Sequence, residues 1–395
     1  MRCGNVALVA RRPQPADGRR FTARAACSSF RAYGRAQTRH QGTRKPIVSR
    51  PASQRPTSFD IAYRAGVSQP TVSRALRGST SVSAETRARI EAIARELGYA
   101  VDKNASSLRS QQSHTLALLF FEDPTADASL INPFFLSMLG WITRHTANAG
   151  YDLLISFQQL SGDWHKAYED SRKADGIILL GYGDYEAYRP RLEQLQAQGT
   201  HYVRWGSPEP GDGGATIGCD NRAGGRIATE HLIGHGRRRI AFLGAGDDHY
   251  PEFRDRYLGY RDALAAAGVQ PDPALQVDAI TLEQAGADAV GELFERGVAF
   301  DGVVAASDLI AIGAMQALER RGYDVPRAVS VVGFDDIPAA QQASPPLTTV
   351  QQDAKAAGEA LVATLLDRIT GREPPAGPLP VRLIVRGSCG AHTNT

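Results

Sequence analysis

The short run Ser68-Gln69-Pro70-Thr71-Val72-Ser73-Arg74 gathers side chains that can read the edge of a nucleic-acid duplex. A glutamine amide can make paired hydrogen bonds to an adenine edge, and an arginine fork can do the same at guanine. Gln69 and Arg74 supply these two groups. Ser68, Thr71 and Ser73 carry hydroxyls that can reach phosphates, which position a helix without reading sequence. A second set of side chains lies far along the chain. Arg256 offers a planar donor fork, Asp335 can accept two hydroxyl hydrogen bonds, and Trp205 presents a ring face for stacking. Phe134, Phe135, Arg204, Ser307 and Asp308 are further candidates by position. Aromatic stacking combined with such polar groups suits a sugar or similar polyol. Covalent chemistry is poorly provided for. There is no Ser-His-Asp order with a nucleophile elbow and no phosphate-cradling loop. The nine histidines show no helical pairing of the metalloprotease type.

Helical elements must carry the first set. The spacing predicts three short helices over residues 57–112. Ser58 is expected to cap the first, and Gly66-Val67 supplies a turn. Ser68 caps the second, with Pro70 in its first turn, where the missing N–H costs nothing. That helix runs from Gln69 to Arg77 and stops at Gly78. Ser83 caps a third, which ends at Gly98. Apolar residues fall at helical spacing: Ile61 and Ala65, Val72 and Leu76, then Ile90, Ile93, Ala94 and Leu97. Two helices joined by a tight glycine turn form a helix-turn-helix pattern. The free N–H groups at the start of the second helix suit phosphate. Spacing alone leaves a generic three-helix cap with solvated faces equally open.

The second set must sit on an α/β body. From His114 short apolar runs alternate with helical stretches. Strands are expected at Thr115–Phe121, Leu153–Ser156, Gly176–Leu180, His201–Arg204, Ile240–Leu243, Gly302–Ala305 and Val329–Gly333. Such alternation means parallel sheets with crossover helices. About 280 residues exceed one comfortable core, so two subdomains are expected, with Asp212-Gly213-Gly214 as a natural boundary. In open α/β sheets ligands sit beyond the carboxyl ends of strands. Trp205, Ser307, Asp308 and Asp335 follow strands directly, and Arg256 lies in the stretch after Ile240–Gly246. Asp220 and Asp308 could instead be helix caps, Phe135 core, and Asp336 structural.

Composition agrees with a globular chain of this kind. The chain has 395 residues, 42% hydrophobic and 22% charged, which is ordinary for globular domains. No apolar run approaches a membrane span. Cys3, Cys27, Cys219 and Cys389 lack metal-ligand spacing, which argues against a zinc site or disulfide scaffold and fits a reducing cytosol. Residues 1–56 hold 13 Lys+Arg against one acid, Asp17, whereas residues 113–395 hold 24 against 36. A basic front on an acidic body is expected when one end meets nucleic acid. Residues 1–56 read as a disordered basic extension. Three origins compete for it: a nucleic-acid-binding arm, a targeting peptide, or an over-long start with Val48 as a candidate true beginning, the last being favoured.

The runs DIAYRAGVSQPTVSRALRG and VSAETRARIEAIARELGY resemble the DNA-binding head of the lactose/galactose repressor (LacI/GalR) family. The landmarks Asn132-Pro-Phe-Phe135, ADGIILLG (174–181), GCDNRAGGRIATEHLIGHGRRRIAFLG (218–244), FRDRYLGYRDAL (253–264), SDLIAIGAMQAL (307–318), VSVVGFDD (329–336) and PPLTTVQQD (345–353) resemble that family's effector domain. The resemblance runs from about Ser58 to Ser388. It implies an N-terminal all-α helix-turn-helix head with a hinge helix. An α/β two-lobed, periplasmic-binding-protein-like effector domain follows, built of two doubly wound parallel sheets. The implied divisions are a head at 57–103, a hinge at 104–112, an effector and dimerisation domain at 113–390, and a tail at 391–395. Lobe 1 would span about 113–213 and 352–381, and lobe 2 about 214–351 and 382–390.

By position, the resemblance places Gln69, Pro70 and Arg74 where the family reads bases. Pro70 cannot donate from its side chain, so apolar contact would replace part of the readout. Asn104–Arg109 looks like the hinge, with Ser107 and Leu108 at the minor groove and Leu108 as an apolar wedge that kinks the duplex. Phe134, Trp205, Arg256 and Asp335 fall at effector-contacting positions. Arg204 stands where related proteins often carry an acid, which could favour an anionic ligand.

The expected function is a homodimeric repressor of a near-palindromic operator on double-stranded DNA, controlled by a small carbohydrate effector between the lobes. No cofactor, metal or membrane partner is expected, and the expected location is cytoplasmic. The absence of a leucine heptad after Gly390 predicts a dimer rather than a tethered tetramer. The alternatives are an enzyme acting on a sugar or nucleotide on the same fold, and a solute-binding protein for transport. The second would need an export signal and no DNA-binding head.

Overall fold

The computed structural model describes residues 56–99, 112–121, 131–158, 162–213, 215–373 and 377–390. The described residues fall into two compact units, one ending at Tyr99 and the other following it. Most of the expected extension and hinge, with Ser107 and Leu108, and the tail lie outside the described residues. Among the described residues, no helix is long and apolar enough to cross a membrane.

The first unit holds α1 (Ser58–Ala65), α2 (Gln69–Leu76) and α3 (Ala84–Glu96). The cap of α1 is Thr57, one residue earlier than expected. Asp60 sets it, because Thr57 N and Oγ1 both donate to its carboxylate, at 2.8 and 2.7 Å. Gly66 takes the left-handed conformation, φ 63°, that turns the chain out of α1. Ser83 Oγ accepts from Thr86 N and starts α3. The helical spacing buries Ile61, Val72 and Ile90 completely, with Ala65, Ala75 and Ala94 around them.

The second unit contains two sheets. The first comprises β1 (Thr115–Phe120), β2 (Asp152–Phe157), β3 (Gly176–Leu180), β4 (Tyr202–Trp205) and β5 (Thr216–Ile217), in the order β2-β1-β3-β4-β5, all parallel. Helices α4 (Pro133–Asn148) and α5 (Tyr185–Ala197) belong with it. The second sheet comprises β6 (Ile240–Leu243), β7 (Gln276–Val277), β8 (Gly302–Ala305), β9 (Ser330–Asp335), β10 (Thr348–Gln352) and β11 (Val381–Ile384). Their order is β11-β10-β9-β8-β6-β7. Its helices are α6 (Asn221–Gly234), α7 (Pro251–Ala266), α8 (Glu283–Glu295), α9 (Asp308–Arg320) and the short α10 (Pro338–Gln342).

Two expectations about this body need correction. The second sheet is not wholly parallel, because β11 pairs antiparallel with β10 at the edge. An edge strand that returns from the other lobe needs no crossover helix and is free to run either way. The passage between lobes does not fall at Asp212-Gly213-Gly214. Thr216 and Ile217 still pair with Arg204 and Trp205, so the chain leaves the first sheet only after Ile217. It crosses again after Gln352, since α11 (Ala354–Ile369) packs on α4 of the first lobe. It returns near Leu379, which bridges to Cys219 beside the first crossing.

Close helix packing holds the second lobe. A Cβ on Gly225 of α6 would run into the backbone carbonyl of Arg256, and one on Gly259 of α7 into that of Arg222. The two helices therefore meet backbone to backbone through paired glycines, which fixes where Arg256 stands.

Candidate functional site

In the head, α2 buries Val72 and Ala75 and turns its other face outward. Pro70 and Arg74 are exposed, and Gln69, Thr71 and Ser73 half-buried. Positions 70 and 74 lie one turn apart on the open face, flanked by 69 and 73. Gln69 Nε2 donates to Ser58 Oγ at 3.2 Å, a weak tether that leaves the amide oxygen free to turn outward. Ser68 precedes α2, and its carbonyl accepts from Thr71 N and Val72 N, but its side chain does not cap the helix. Its hydroxyl pairs with Thr71 Oγ1 at 2.9 Å. Pro70 has no N–H and Thr71 N donates to the Ser68 carbonyl at 2.9 Å, so in the first turn of α2 it is the Gln69 amide that keeps a capacity for an anion. Phe59 and Tyr63 of α1, 70% and 85% exposed, were not singled out by sequence reasoning.

In the body, the strand ends converge on Arg256 and Asp335. Arg256 stands on α7 and is buried. Its Nε donates to Asn221 Oδ1 at 2.8 Å and its Nη2 to Tyr182 Oη at 2.9 Å, while Nη1 donates to the Ala306 carbonyl. The guanidinium lies 3.7 Å from the centre of the Phe334 ring, within cation–π range. Asp335 Oδ1 is 3.8 Å from Arg256 Nη1. The same oxygen accepts from Gln352 Nε2 at 2.6 Å and Tyr182 Oη at 3.3 Å. Burial pushes the Asp335 carboxyl up to about 6, against the pull of Arg256. Asp335 is the last residue of β9, and its backbone is strained. Its φ is 113°, and that of Asp336 is 59°, both in the region that favours glycine. Such outliers cluster where function requires a fixed geometry.

Aromatic side chains pack beside this polar centre. Phe134, at the start of α4, lies 6.1 Å from Trp205 and 5.3 Å from Phe135, and Phe135 stands edge-on to Tyr182 at 4.8 Å. Trp205 is the final residue of β4 and not, as expected, the residue after it. A cavity of about 250 Å³ is lined by Phe134, Trp141, Asp335, Gln352, Asp353 and Arg382, among others.

Three expected residues stand apart from this centre. Arg204 precedes Trp205 on β4, so strand alternation sends the two side chains to opposite faces. Arg204 is fully buried against carboxylates of its own chain, with Asp212 at 3.0 Å and Glu252 at 3.7 Å. Its Nη2 also donates to the Ser207 carbonyl. The internal acids answer its charge, which removes the argument for an anionic ligand. Ser307 is the cap of α9, and its Oγ accepts from Thr281 Oγ1 at 2.7 Å. Asp308 is the first residue of α9 rather than its cap. One oxygen accepts from Thr349 Oγ1 at 2.6 Å and the other from Ile337 N at 2.9 Å. Burial, reinforced by Asp335, holds its carboxyl well above the usual range. Asp220 does cap α6, and Asp336 accepts from Arg386 and Gln351, a structural engagement.

Sequence reasoning missed Tyr182, Asn221 and Gln352. Tyr182 and Gln352 obey the same rule that found Trp205, since each sits at or just past the carboxyl end of a strand. Further contacts join the lobes at the rim. Asp184 meets His249 Nδ1 at 2.9 Å, Tyr185 N donates to the His249 carbonyl, and Glu209 pairs with Arg254 at 2.6 Å. The Asp184 carboxylate raises the His249 imidazole above its ordinary value.

Comparison with known proteins places these features in context. Residues 59–102 match the family described as bacterial regulatory proteins, lacI family, and residues 229–389 match a periplasmic binding protein-like domain. The transcriptional regulator CelR of Thermobifida fusca is 34% identical over 342 residues, covering 85% of this chain and 98% of that protein. The ribose operon repressor of Escherichia coli (strain K12) is 32% identical, over 80% of this chain and 93% of its own. Among solved structures, a CelR–cellobiose complex superposes with TM-score 0.64 at 33% identity, covering 85% of this chain and all of that one. A lac repressor dimer bound to operator and an anti-inducer superposes with TM-score 0.73 at 26% identity, covering 86% and all.

Proposed function

The chain belongs to the lacI family of bacterial regulatory proteins, and from that premise we propose that it is a cytoplasmic repressor released from or driven onto its operator by a carbohydrate. It is a DNA-binding transcriptional regulator and not an enzyme. Gln69, Pro70 and Arg74 on the open face of α2 read base edges, with Ser68, Thr71 and Ser73 on phosphates. Ser107 and Leu108 enter the minor groove at the centre of the site. The solved relative that holds cellobiose supports a saccharide as the effector.

The observation that carries the ligand reading is the convergence of Arg256 and Asp335 beside Phe134 and Trp205. An aromatic face with a charged donor fork and a carboxylate matches the apolar ring faces and hydroxyl edges of a sugar. All four side chains are buried, so a saccharide enters only when the lobes part. The coupling follows from this. A ligand that binds one lobe arrangement better shifts the balance toward it, by no more than its differential affinity.

A homodimer presents two heads to a two-fold operator. Its interface is supported by exposed apolar side chains on the first lobe: Leu136 on α4, and Leu154, Ile155 and Phe157 on the edge strand β2.

The test is a thermal-shift screen of neutral sugars, sugar acids and sugar phosphates on the full chain, repeated with an operator obtained by in vitro selection. A neutral saccharide is expected to raise Tm and change operator affinity. No response to any of these classes would overturn the carbohydrate reading, and a response confined to sugar acids or sugar phosphates would overturn the neutral one.

A further inference from the structure

The cysteines lack metal-ligand spacing along the chain, but the fold supplies for Cys389 what its spacing does not. His231 and His235 stand four residues apart at the carboxyl end of α6, so their rings share one side of the helix. The ring centres are 4.5 Å apart with the planes at 75°. Cys389 arrives from the turn Gly387–Cys389 that follows β11. That turn is firmly anchored. Ser388 Oγ donates to the Val331 carbonyl at 2.6 Å and accepts from Thr348 N at 2.8 Å, and the Cys389 carbonyl accepts from Ser330 Oγ at 3.1 Å. One donor atom from each of His231, His235 and Cys389 lies within 4.8 Å of the others.

Several features of this cluster fit a metal ion better than an ordinary packed corner. His231 Nε2 is buried and has no hydrogen-bond partner, which is costly unless something fills the gap. The Cys389 thiol accepts a hydrogen bond from Thr348 Oγ1 at 3.1 Å and donates to the Arg386 carbonyl at 3.6 Å, which fixes the direction of its sulfur. His235 is exposed and leaves an entry path, while Cys389 is buried. Two imidazole nitrogens and one sulfur, with room for water, form a tetrahedral zinc donor set.

We propose that His231, His235 and Cys389 bind one zinc ion, which ties the end of α6 to the C-terminal turn of the second lobe. On binding, the Cys389 thiol releases its proton to solvent, and a water molecule fills the fourth position. Zinc bond lengths place neighbouring donors roughly 3.5 Å apart. Rotation of the exposed His235 side chain can supply most of the closure required.

Cobalt(II) is the probe, because its bond to a thiolate absorbs in the near ultraviolet. Untagged full-length protein, stripped with chelator, is expected to take up one cobalt per chain with that absorption, and one equivalent of zinc should displace it. Cys389→Ser should abolish the band, and His235→Ala should weaken zinc binding at least about tenfold. Zinc should raise the Tm of the unsubstituted protein, and raise that of His235→Ala less at the same zinc concentration. Uptake and absorption that survive both substitutions would place the metal elsewhere and overturn the proposal. So would the absence of stoichiometric uptake.

Discussion

The phenol of Tyr182, just beyond β3 in the first lobe, lies 3.3 Å from Asp335 Oδ1 at the end of β9 in the second, and it receives Arg256 Nη2 at 2.9 Å. A single hydroxyl thus joins the two lobes to one buried charge pair. Opening the lobes must separate Tyr182 from both partners. A sugar hydroxyl placed between the lobes could take over the same hydrogen bonds. The site is therefore connected to the lobe motion by direct contact.

The Asp335 carboxyl titrates near 6 in the folded protein, above its ordinary value of 3.8. A raised acid stabilises the fold while it is protonated. That contribution is fully present below about 3.8 and is lost as pH rises through about 6. Asp335→Asn stays neutral throughout. Thermal melts from pH 4 to pH 7 should show the unsubstituted protein losing stability relative to the variant as pH rises. A difference that stays flat across this range would contradict the assignment.

Replacing Arg256 with Ala leaves Asp335 buried without its countercharge. Removing one partner of a buried pair typically costs about 3–5 kcal/mol, so urea melts should show a large loss. In the protein that remains folded, operator affinity without effector should be retained while the carbohydrate response disappears. Loss of both together would indicate a purely structural role.

Arg74→Ala should reduce discrimination between operator variants by about 1–3 kcal/mol. Competition binding on operators altered one base pair at a time reads this directly. Unchanged selectivity would remove Arg74 from the base-reading set.

Ile155 is 49% exposed on the edge strand β2. Ile155→Asp should leave the fold intact but place a charge in the proposed subunit interface, where it lacks a partner. Sedimentation equilibrium should then show monomer at concentrations where the unsubstituted chain is dimeric, with weaker operator binding. A variant that remains fully dimeric would locate the interface elsewhere.

Gly225→Ala should destabilise the second lobe by about 1–3 kcal/mol, because the new methyl meets the Arg256 carbonyl and backbone cannot give way cheaply. Gly234→Ala on the same helix is the control. Nothing lies within 4 Å of a Cβ there, so urea melts should show no loss or a small gain.

The amino-acid order by itself determined the three-helix head, the outward face of α2, and the strand and helix sequence of the body. It also pointed to Arg256 and Asp335 through the strand-end rule. These follow from periodicity, caps and turns, which act between residues a few positions apart. Even so, the cap of α1 moved to Thr57, because Asp60 reaches back to it. Only the tertiary structure decided which of two buried arginines stands at the polar centre. Strand alternation turned Arg204 toward Asp212 and Glu252, while the glycine contact of α6 and α7 set Arg256 against Asp335. Tertiary structure also brought Cys389 to His231 and His235, and Tyr182 to Asp335. Those partners are separated by more than 150 residues, so their meeting depends on how sheets and crossings assemble, which local spacing does not encode.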